Sequence, residues 1–319
     1  MTDEGRIRLG IARCLLGDPV RYDGTHKLDR TLRDVLGRFV EWVAVCPEVE
    51  CGMPVPREAV RLVGDPAAPR LLGRNSGTDF TGQMRAWGQR RLEALADEGL
   101  CGYVFRYGSP SSGMSRVKVY PEAGGPARRD GVGLWAGMVM ARFPELPFED
   151  DGRLHDPAIR ENFITRVFTL MRWRQAMADG PSPRALVDFH TRHKLLLMAH
   201  SVELYRELGR LVAEAGGPDA RTLPGRYFPL LQKALSLLPT TRKHTNVLSH
   251  VQGYFKRVLS ADERQELTEL VGRYHAGLVP LVVPVTLLNH YVRKYGQDYL
   301  AAQVYLNPYP AELMLRNHV

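Results

Sequence analysis

Short apolar runs separated by amphipathic stretches organise the first half of the chain. The runs stop abruptly at polar or turn-forming residues, as buried strands do, and they predict strands at 7–12, 40–45, 100–105 and 117–120. Apolar positions at helical spacing predict helices at 29–39, 79–98 and 133–143. Asp29 is suited to cap the first helix, and Gly99 ends the second. This alternation predicts a doubly wound α/β domain with a mostly parallel sheet.

The second half of the chain has helical periodicity throughout and predicts an all-α domain. The predicted helices are 184–200, 202–215, 227–238, 242–258, 261–276 and 282–295. Ser260 and Glu263 have the spacing of a capping box. The proline and glycine residues of 179–183 cannot continue a helix. We therefore predict an α/β domain at 1–157, a connecting helix and linker at 158–180, and an all-α domain at 181–319.

Three segments of the first domain follow predicted strands at their carboxyl ends. They are Cys14, Cys46 and the loop 109–113. Ligands of open parallel sheets bind at that edge, so we expect these segments to converge. Two thiols from separate loops suit a soft metal or an iron-sulfur cluster better than thiol exchange, because Cys46-x4-Cys51 is not a Cys-x-x-Cys pair. The alternative is that the cysteines are small buried apolar residues.

The composition is that of a soluble globular protein, with 44% hydrophobic and 24% charged residues. No apolar run is long enough to cross a bilayer, and the amino terminus lacks the apolar core of a secretory signal. We therefore expect a cytoplasmic protein without a membrane partner. A reducing cytoplasm disfavours disulfides among the four cysteines.

Positive charge is concentrated in the second half. Residues 1–150 contain 21 Lys/Arg and 20 Asp/Glu, whereas residues 151–319 contain 22 and 15. This excess favours a nucleic-acid partner over a merely soluble basic surface. The predicted RNA-binding residues combine cations with aromatic rings and are Arg242, Lys243, His250, Tyr254 and Lys256. The alternatives for the histidines of this half are helix packing and metal ligation.

Several motifs of residues 6–165 resemble the bacterial thiouracil desulfidases. They are Ala12–Gly17, Val20–Gly24, Cys46–Val49, Gly52–Arg57, Ser109–Gly113 and Val117–Tyr120. The resemblance implies a 4Fe-4S cluster on three cysteines, with one iron open to the sulfur of a thiolated pyrimidine. Cys14 and Cys46 match the first two ligands. By the same resemblance Glu48 is the general base, and Ser109 bonds the pyrimidine or the water.

The third ligand position departs from the family pattern, because the Ser-Pro-Ser-Cys-Gly loop of the family has Ser112 here. A serine oxygen is a harder ligand than a thiolate. Three interpretations are open: a ligand removed by engineering, a natural oxygen ligand, or recruitment of another thiol such as Cys51. We expect loss of the ligand, and an impaired cluster.

Residues 184–317 resemble a YbgA-like helical family that is often fused to the desulfidase domain. The motifs begin at Phe189, Arg242, Gln252 and Tyr305. For the fused form the resemblance implies desulfidation of 4-thiouridine in tRNA, with the helical domain presenting the RNA, and no obligate protein partner is inferred. One alternative is a desulfidase of free thiouracil or thiouridine. The other is a non-catalytic tRNA-binding protein.

Overall fold

The computed structural model describes residues 7–180 and 182–318. The chain forms two compact units, Met1–Asp156 and Pro157–Val319. The division lies next to the predicted end of the first domain. The helix that we assigned to a connecting segment belongs to the second unit, where the Asn162 side-chain amide donates to the Leu235 carbonyl at 2.9 Å.

Two four-stranded sheets form the framework of the first unit. Its strands are β1 (Ile7–Ala12), β2 (Val40–Val45), β3 (Val60–Val63), β4 (Arg70–Gly73), β5 (Tyr103–Phe105), β6 (Val117–Tyr120), β7 (Arg128–Gly131) and β8 (Phe148–Asp150). Its helices are α1 (Pro47–Glu50), α2 (Thr81–Ala96) and α3 (Leu134–Arg142).

The main sheet has the order β2-β1-β5-β8, and all its neighbours are parallel. This confirms the predicted α/β architecture. Strands β1 and β2 pair over six consecutive residues, from Ile7 opposite Val40 to Ala12 opposite Val45. The two strands therefore end level, and the segments that follow them emerge side by side.

The second sheet was not predicted as a sheet, although its strand β6 coincides with the strand predicted at 117–120. Its order is β4-β3-β6-β7, with one parallel pair, β3 with β6, between two antiparallel pairs. The predicted helix at 29–39 was also wrong in type, because the chain forms a π turn at Thr31–Val35 and a 3-10 turn at Leu36–Arg38. Asp29 nevertheless caps this segment, since its carboxylate accepts the Leu32 N–H at 3.0 Å.

Aromatic packing holds α2 and α3 against the main sheet. The Trp87 and Trp135 rings lie 4.8 Å apart, and the Trp135 indole N–H donates to the Tyr103 hydroxyl at 3.0 Å. A β-carbon at Gly10 would lie 2.1 Å from the Tyr103 ring. Glycine at this position therefore lets the buried Tyr103 ring lie on the neighbouring strand β1.

All the regular secondary structure in the described part of the second unit is helical, as predicted. Its helices are α4 (Pro157–Ala176), α5 (Pro183–His200), α6 (Val202–Ala213), α7 (Leu223–Ser236), α8 (Thr241–Tyr254), α9 (Ala261–His275), α10 (Val282–Lys294) and α11 (Asp298–Ala301). Ser260 and Glu263 form the predicted capping box of α9. The rings of Trp173, Phe189 and Tyr227 meet in the core. No helix in the described part of the chain is long and apolar enough to cross a membrane.

Candidate active site

A cavity of about 260 Å³ lies at the carboxyl ends of β1, β2 and β5. All five residues that the sequence assigned to the desulfidase site line it: Cys14, Cys46, Glu48, Ser109 and Ser112. The parallel sheet brings these side chains together from three distant segments, as expected from the strand order.

The two cavity thiols are placed by the ends of β1 and β2. Cys14 lies in a single 3-10 turn, Arg13–Leu16, that directly follows β1. Gly17 ends this turn with a φ of 104°, a conformation that favours glycine. Cys46 directly follows β2 and begins α1, and its N–H donates to the Glu50 carboxylate at 2.9 Å.

Burial keeps both cavity thiols protonated near neutral pH. It raises the pKa of Cys14 to about 11, although the nearby Arg106 guanidinium acts in the opposite direction. Burial also raises the pKa of Cys46. Protonated thiols of this kind are weak nucleophiles, and a thiol must lose its proton before it can bind a metal.

Cys51 lies outside the residues that line the cavity. Its thiol donates to the Glu48 carbonyl at 3.3 Å, and the Gln83 amide donates to the Cys51 carbonyl at 2.6 Å. These contacts tie the end of α1 to α2. These hydrogen bonds therefore indicate a structural role for Cys51.

Glu48 is bonded through both carboxylate oxygens. Arg57, whose side chain is 5% exposed, forms an ion pair with Oε2, and the Ser111 hydroxyl donates to Oε1 at 2.8 Å. The Arg57 guanidinium also donates to the Val20 carbonyl at 3.0 Å. Sequence reasoning missed Arg57 and Ser111 as partners of Glu48. Both residues lie inside recognised motifs, and a buried arginine requires an acidic partner.

The 109–113 loop forms a chain of hydroxyl groups across the cavity wall. The Ser109 and Ser111 hydroxyl oxygens are 3.1 Å apart, and the Ser112 N–H donates to the Ser109 hydroxyl at 3.1 Å. The Ser111 carbonyl accepts the Trp135 N–H at 2.9 Å, so the first turn of α3 fixes the loop. Gly133 allows this approach, since a β-carbon there would lie 2.6 Å from that carbonyl.

The Ser112 hydroxyl is buried and has no hydrogen-bond partner within the described structure. Such unpaired buried groups are uncommon and costly. The residue lines the same cavity as Cys14 and Cys46, where a sulfur ligand of the desulfidase pattern is expected. Two thiols and one hydroxyl do not fit a cluster that needs three thiolates. Among residues 7–180 and 182–318, no three histidine, cysteine or acidic side chains are grouped to hold a metal.

The residues predicted to contact RNA divide into two groups. Arg242, His250, Tyr254 and Lys256 are exposed. Lys243 is engaged within the unit, because its ammonium group donates to the His200 carbonyl at 2.6 Å and to the Leu238 carbonyl at 3.3 Å.

An exposed aromatic cluster surrounds Tyr254. Tyr254 is 41% exposed and stacks on Tyr299 at 5.2 Å, while the His250 ring meets its edge at 5.6 Å. Sequence reasoning missed Tyr299, which is 37% exposed and lies in the short helix α11, far from Tyr254 along the chain. Exposed stacked rings of this kind can accept unpaired bases.

Four histidines of the second unit are buried among the helices: His190, His193, His200 and His244. Burial lowers the pKa of each, to about 4 for His190 and His200. These imidazoles are therefore neutral near neutral pH. For these four residues the structure supports the packing interpretation.

Comparisons with known proteins match each half of the chain separately. The family model described as 2-thiouracil desulfurase matches residues 9–151. A family of unknown function, DUF1722, matches residues 194–310. Among curated proteins, an uncharacterized Escherichia coli K12 protein, YbgA, is 35% identical over 160 residues, which cover 49% of this chain and 94% of YbgA.

Among solved structures, the chain is similar to one described as the 4Fe-4S-dependent thiouracil desulfidase TudS. The identity is 26% and the TM-score 0.40, over 49% of this chain and 98% of that chain. Together, the matches to YbgA and to the two family models show that this chain belongs to the YbgA-like family, in a fused form in which a 2-thiouracil desulfurase domain precedes the DUF1722 region.

Proposed function

We propose that the chain belongs functionally to the desulfidases and that its substrate is 4-thiouridine in tRNA, which it converts to uridine. The observation that carries this proposal is the convergence of two thiols, a carboxylate and a serine loop in one cavity of a 2-thiouracil desulfurase domain. The basic second half and its exposed aromatic cluster support RNA as the form in which the substrate arrives.

The reaction exchanges the thiocarbonyl sulfur of the ring for the oxygen of water. Water adds to the ring carbon, the carbon–sulfur bond then breaks, and hydrogen sulfide leaves. A base must accept a proton as the water adds. No oxidant or reductant is consumed in this exchange.

The serine loop and Glu48 supply a path for that proton. Ser111 donates to Glu48 Oε1 at 2.8 Å, so the Ser111 oxygen can accept the Ser109 hydroxyl hydrogen across their 3.1 Å separation. The Ser109 oxygen can then accept a proton from a water in the cavity. Arg57 holds the other carboxylate oxygen and orients Glu48. Glu48 is the final proton acceptor of this relay.

The cluster implied by the family pattern would take Cys14 and Cys46 as ligands and would supply an iron that binds sulfur. The third position carries the Ser112 hydroxyl, which is a harder donor than a thiolate. Because the third thiolate is missing, we expect this chain to hold little intact cluster and to release sulfide slowly.

The test compares the iron content of the parent protein with that of Ser112→Cys after identical anaerobic reconstitution. We expect well below one cluster per chain for the parent and about four irons per chain for Ser112→Cys. Cys51→Ser, which removes a thiol outside the cavity, serves as the control and should match the parent. Equal iron content in the parent and Ser112→Cys would contradict the assignment of Ser112 to the third position.

Activity and binding assays then separate the candidate substrates. We expect Ser112→Cys to release sulfide from tRNA containing 4-thiouridine, and Glu48→Gln in that background to lose most of this activity. Preferential release from free thiouracil would favour the free-base desulfidase. Salt-sensitive tRNA binding without sulfide release by Ser112→Cys would favour a non-catalytic RNA-binding protein.

A further inference from the structure

Two exposed tyrosines lie at the mouth of the cavity in the first unit. Among the described residues of that unit, three large apolar side chains are exposed: Tyr22 at 42%, Val55 at 39% and Tyr107 at 44%. Tyr22 and Tyr107, the tyrosine pair, both line the cavity that holds Cys14 and Cys46. Isolated exposed apolar side chains are ordinary, but two aromatic rings at the entrance of one cavity indicate a surface for a planar ligand.

The tyrosine pair is anchored at opposite sides of the main sheet. The Tyr22 carbonyl accepts the Arg57 N–H at 2.8 Å, in the segment after β2 and α1. The Tyr107 N–H donates to the Asp151 carboxylate at 2.7 Å, directly after β8. β2 and β8 are the outer strands of the sheet, about 14 Å apart at the usual strand spacing. The tyrosine pair therefore borders the cavity from two sides.

Neighbouring side chains fix both anchors. The Arg21 guanidinium lies 5.4 Å from the centroid of the Tyr22 ring, within the range of a cation–π contact. Asp151, which accepts the Tyr107 N–H, also accepts two hydrogen bonds from Arg106 Nη1, at 3.0 and 3.1 Å. These contacts order the mouth of the cavity before a ligand arrives, which lowers the entropy cost of binding.

The proposed substrate needs such a surface. A thiolated base in folded RNA is stacked between its neighbours, and chemistry on its ring requires that it leave the stack. The cavity, about 260 Å³, is smaller than the range of about 300–1,000 Å³ that is usual for drug-sized ligands, so it admits one base and leaves the adjacent nucleotides outside. Those nucleotides then lie at the mouth. An aromatic ring there replaces the stacking that a neighbouring base loses.

We propose that the tyrosine pair stacks on the nucleotides that flank 4-thiouridine while the thiolated base occupies the cavity. This inference rests on the proposed function and adds that the substrate is recognised as an extruded nucleotide of an RNA strand. Tyr22 and Tyr107 are thus specificity-determining residues, because they contact nucleotides that free thiouracil and free thiouridine lack.

Isothermal titration calorimetry on the full chain tests the proposal with two probes. One is a trinucleotide with 4-thiouridine in the middle and uridine on either side, and the other is the nucleoside 4-thiouridine. Tyr22→Ala and Tyr107→Ala should each weaken binding of the trinucleotide by about 10-fold, the effect of losing one base–aromatic stack, and leave binding of the nucleoside unchanged. Equal losses with both probes, or no binding of the trinucleotide at millimolar concentration, would overturn the proposal.

Matched variants separate stacking from a structural effect. Tyr22→Phe and Tyr107→Phe keep the stacking face and should bind the trinucleotide as the parent does. Val55→Ala trims the third exposed apolar side chain, which lies outside the cavity lining, and should also match the parent. Unchanged binding of the trinucleotide by both Tyr22→Ala and Tyr107→Ala would overturn the proposal.

Photo-crosslinking locates the trinucleotide without turnover, because near-ultraviolet light couples 4-thiouridine to adjacent side chains. Mass spectrometry of the digested parent should find the crosslinks in the cavity-lining segments that contain Cys14, Cys46 and Ser112. The yield should fall in Tyr22→Ala and Tyr107→Ala. Crosslinks confined to the second unit would overturn the proposal.

This inference and the proposed function fail in different ways. A Ser112→Cys protein that releases no sulfide from any substrate would contradict desulfidation, whereas binding and crosslinking of the trinucleotide do not depend on that activity. If Ser112→Cys is active, adding Tyr22→Ala or Tyr107→Ala should lower kcat/KM for the trinucleotide by about 10-fold and leave kcat/KM for the nucleoside unchanged. Unchanged kcat/KM for both substrates would overturn the role of the tyrosine pair alone.

Discussion

We expect acidic pH to destabilise the helical unit because its buried imidazoles become protonated on unfolding. His193 provides the clearest test of this prediction. Its ring is 2% exposed and stacks on Phe189 at 3.8 Å. Its Nδ1–H donates to the Phe189 carbonyl at 2.7 Å, while Nε2 has no partner among the described residues. A second proton on Nε2 would therefore be buried without an acceptor. Burial lowers the pKa of His193 to about 3.

The size of the effect follows from proton linkage. The unfolded imidazole titrates at about 6.5, so the folded state has its full advantage above that pH and loses it as pH falls towards about 3. At about pH 5 the unfolded form is almost fully protonated and the folded form is neutral. This difference lowers the free energy of unfolding by about 2 kcal/mol relative to about pH 8.

The measurement is urea unfolding of the parent and His193→Asn at these two pH values, followed by far-UV circular dichroism. Asparagine keeps a donor for the Phe189 carbonyl and does not titrate. We expect its loss of unfolding free energy between about pH 8 and pH 5 to be smaller than that of the parent by about 2 kcal/mol.

The control is His290→Asn, which changes an exposed histidine of α10 and should follow the parent. The comparison uses the change in the free energy of unfolding between the two pH values within each protein. A packing defect in His193→Asn that lowers this free energy equally at both pH values therefore does not affect the result. The reasoning would be refuted if His193→Asn and the parent lost the same unfolding free energy on acidification.

Two further predictions concern local packing. Ser260→Ala removes the side-chain acceptor of the α9 capping box and should lower the free energy of unfolding in urea by about 1 kcal/mol. An unchanged free energy would show that the cap does not stabilise the fold. Gly133→Ala places a β-carbon 2.6 Å from the Ser111 carbonyl and should destabilise the first unit by 1 kcal/mol or more, in the manner of an overpacked site. Its control is Gly82→Ala in α2, where nothing lies within 4 Å and the change should be neutral or stabilising in thermal denaturation.

The helices and strands that could be predicted from the sequence are those whose own side chains have a clear hydrophobic pattern. Strands β1 and β2 are mostly apolar, apart from Arg8 and Glu41, and they end one or two residues before a cysteine, so their positions predicted the cavity. In the second sheet only β6 was predicted as a strand, and the other strands escaped prediction because they are short and are buried by their partners. β7 has the sequence Arg-Arg-Asp-Gly, which is typical of a loop, and it becomes a strand by pairing with β6.

Several residues that line the cavity could be predicted from the sequence, but the hydrogen bonds and ion pairs among them could not. Cys14, Cys46 and Glu48 follow strand ends, and the edge of a parallel sheet brings such residues together. The bonds of Glu48 to Arg57 and Ser111 depend on how the loops after β2 and β5 fold over the cavity. Likewise Lys243 has the sequence character of an RNA contact, and only the structure shows that its ammonium group donates to the His200 carbonyl at the end of α5 and to the Leu238 carbonyl beyond α7.

The register of β1 and β2 determines which segments of the chain can change in length without displacing the ends of these strands. Because six consecutive residue pairs hold the strands level, the spacing of Cys14 and Cys46 is a property of the sheet. The segment between the Cys14 turn and β2 can change in length while the ends of the two strands stay level. A deletion within β2 would instead reverse the side-chain faces beyond it and withdraw Cys46 by about 3.3 Å, one strand residue. Changes of length in the intervening segment can therefore reshape the rim of the cavity while the ends of β1 and β2, which precede Cys14 and Cys46, stay level.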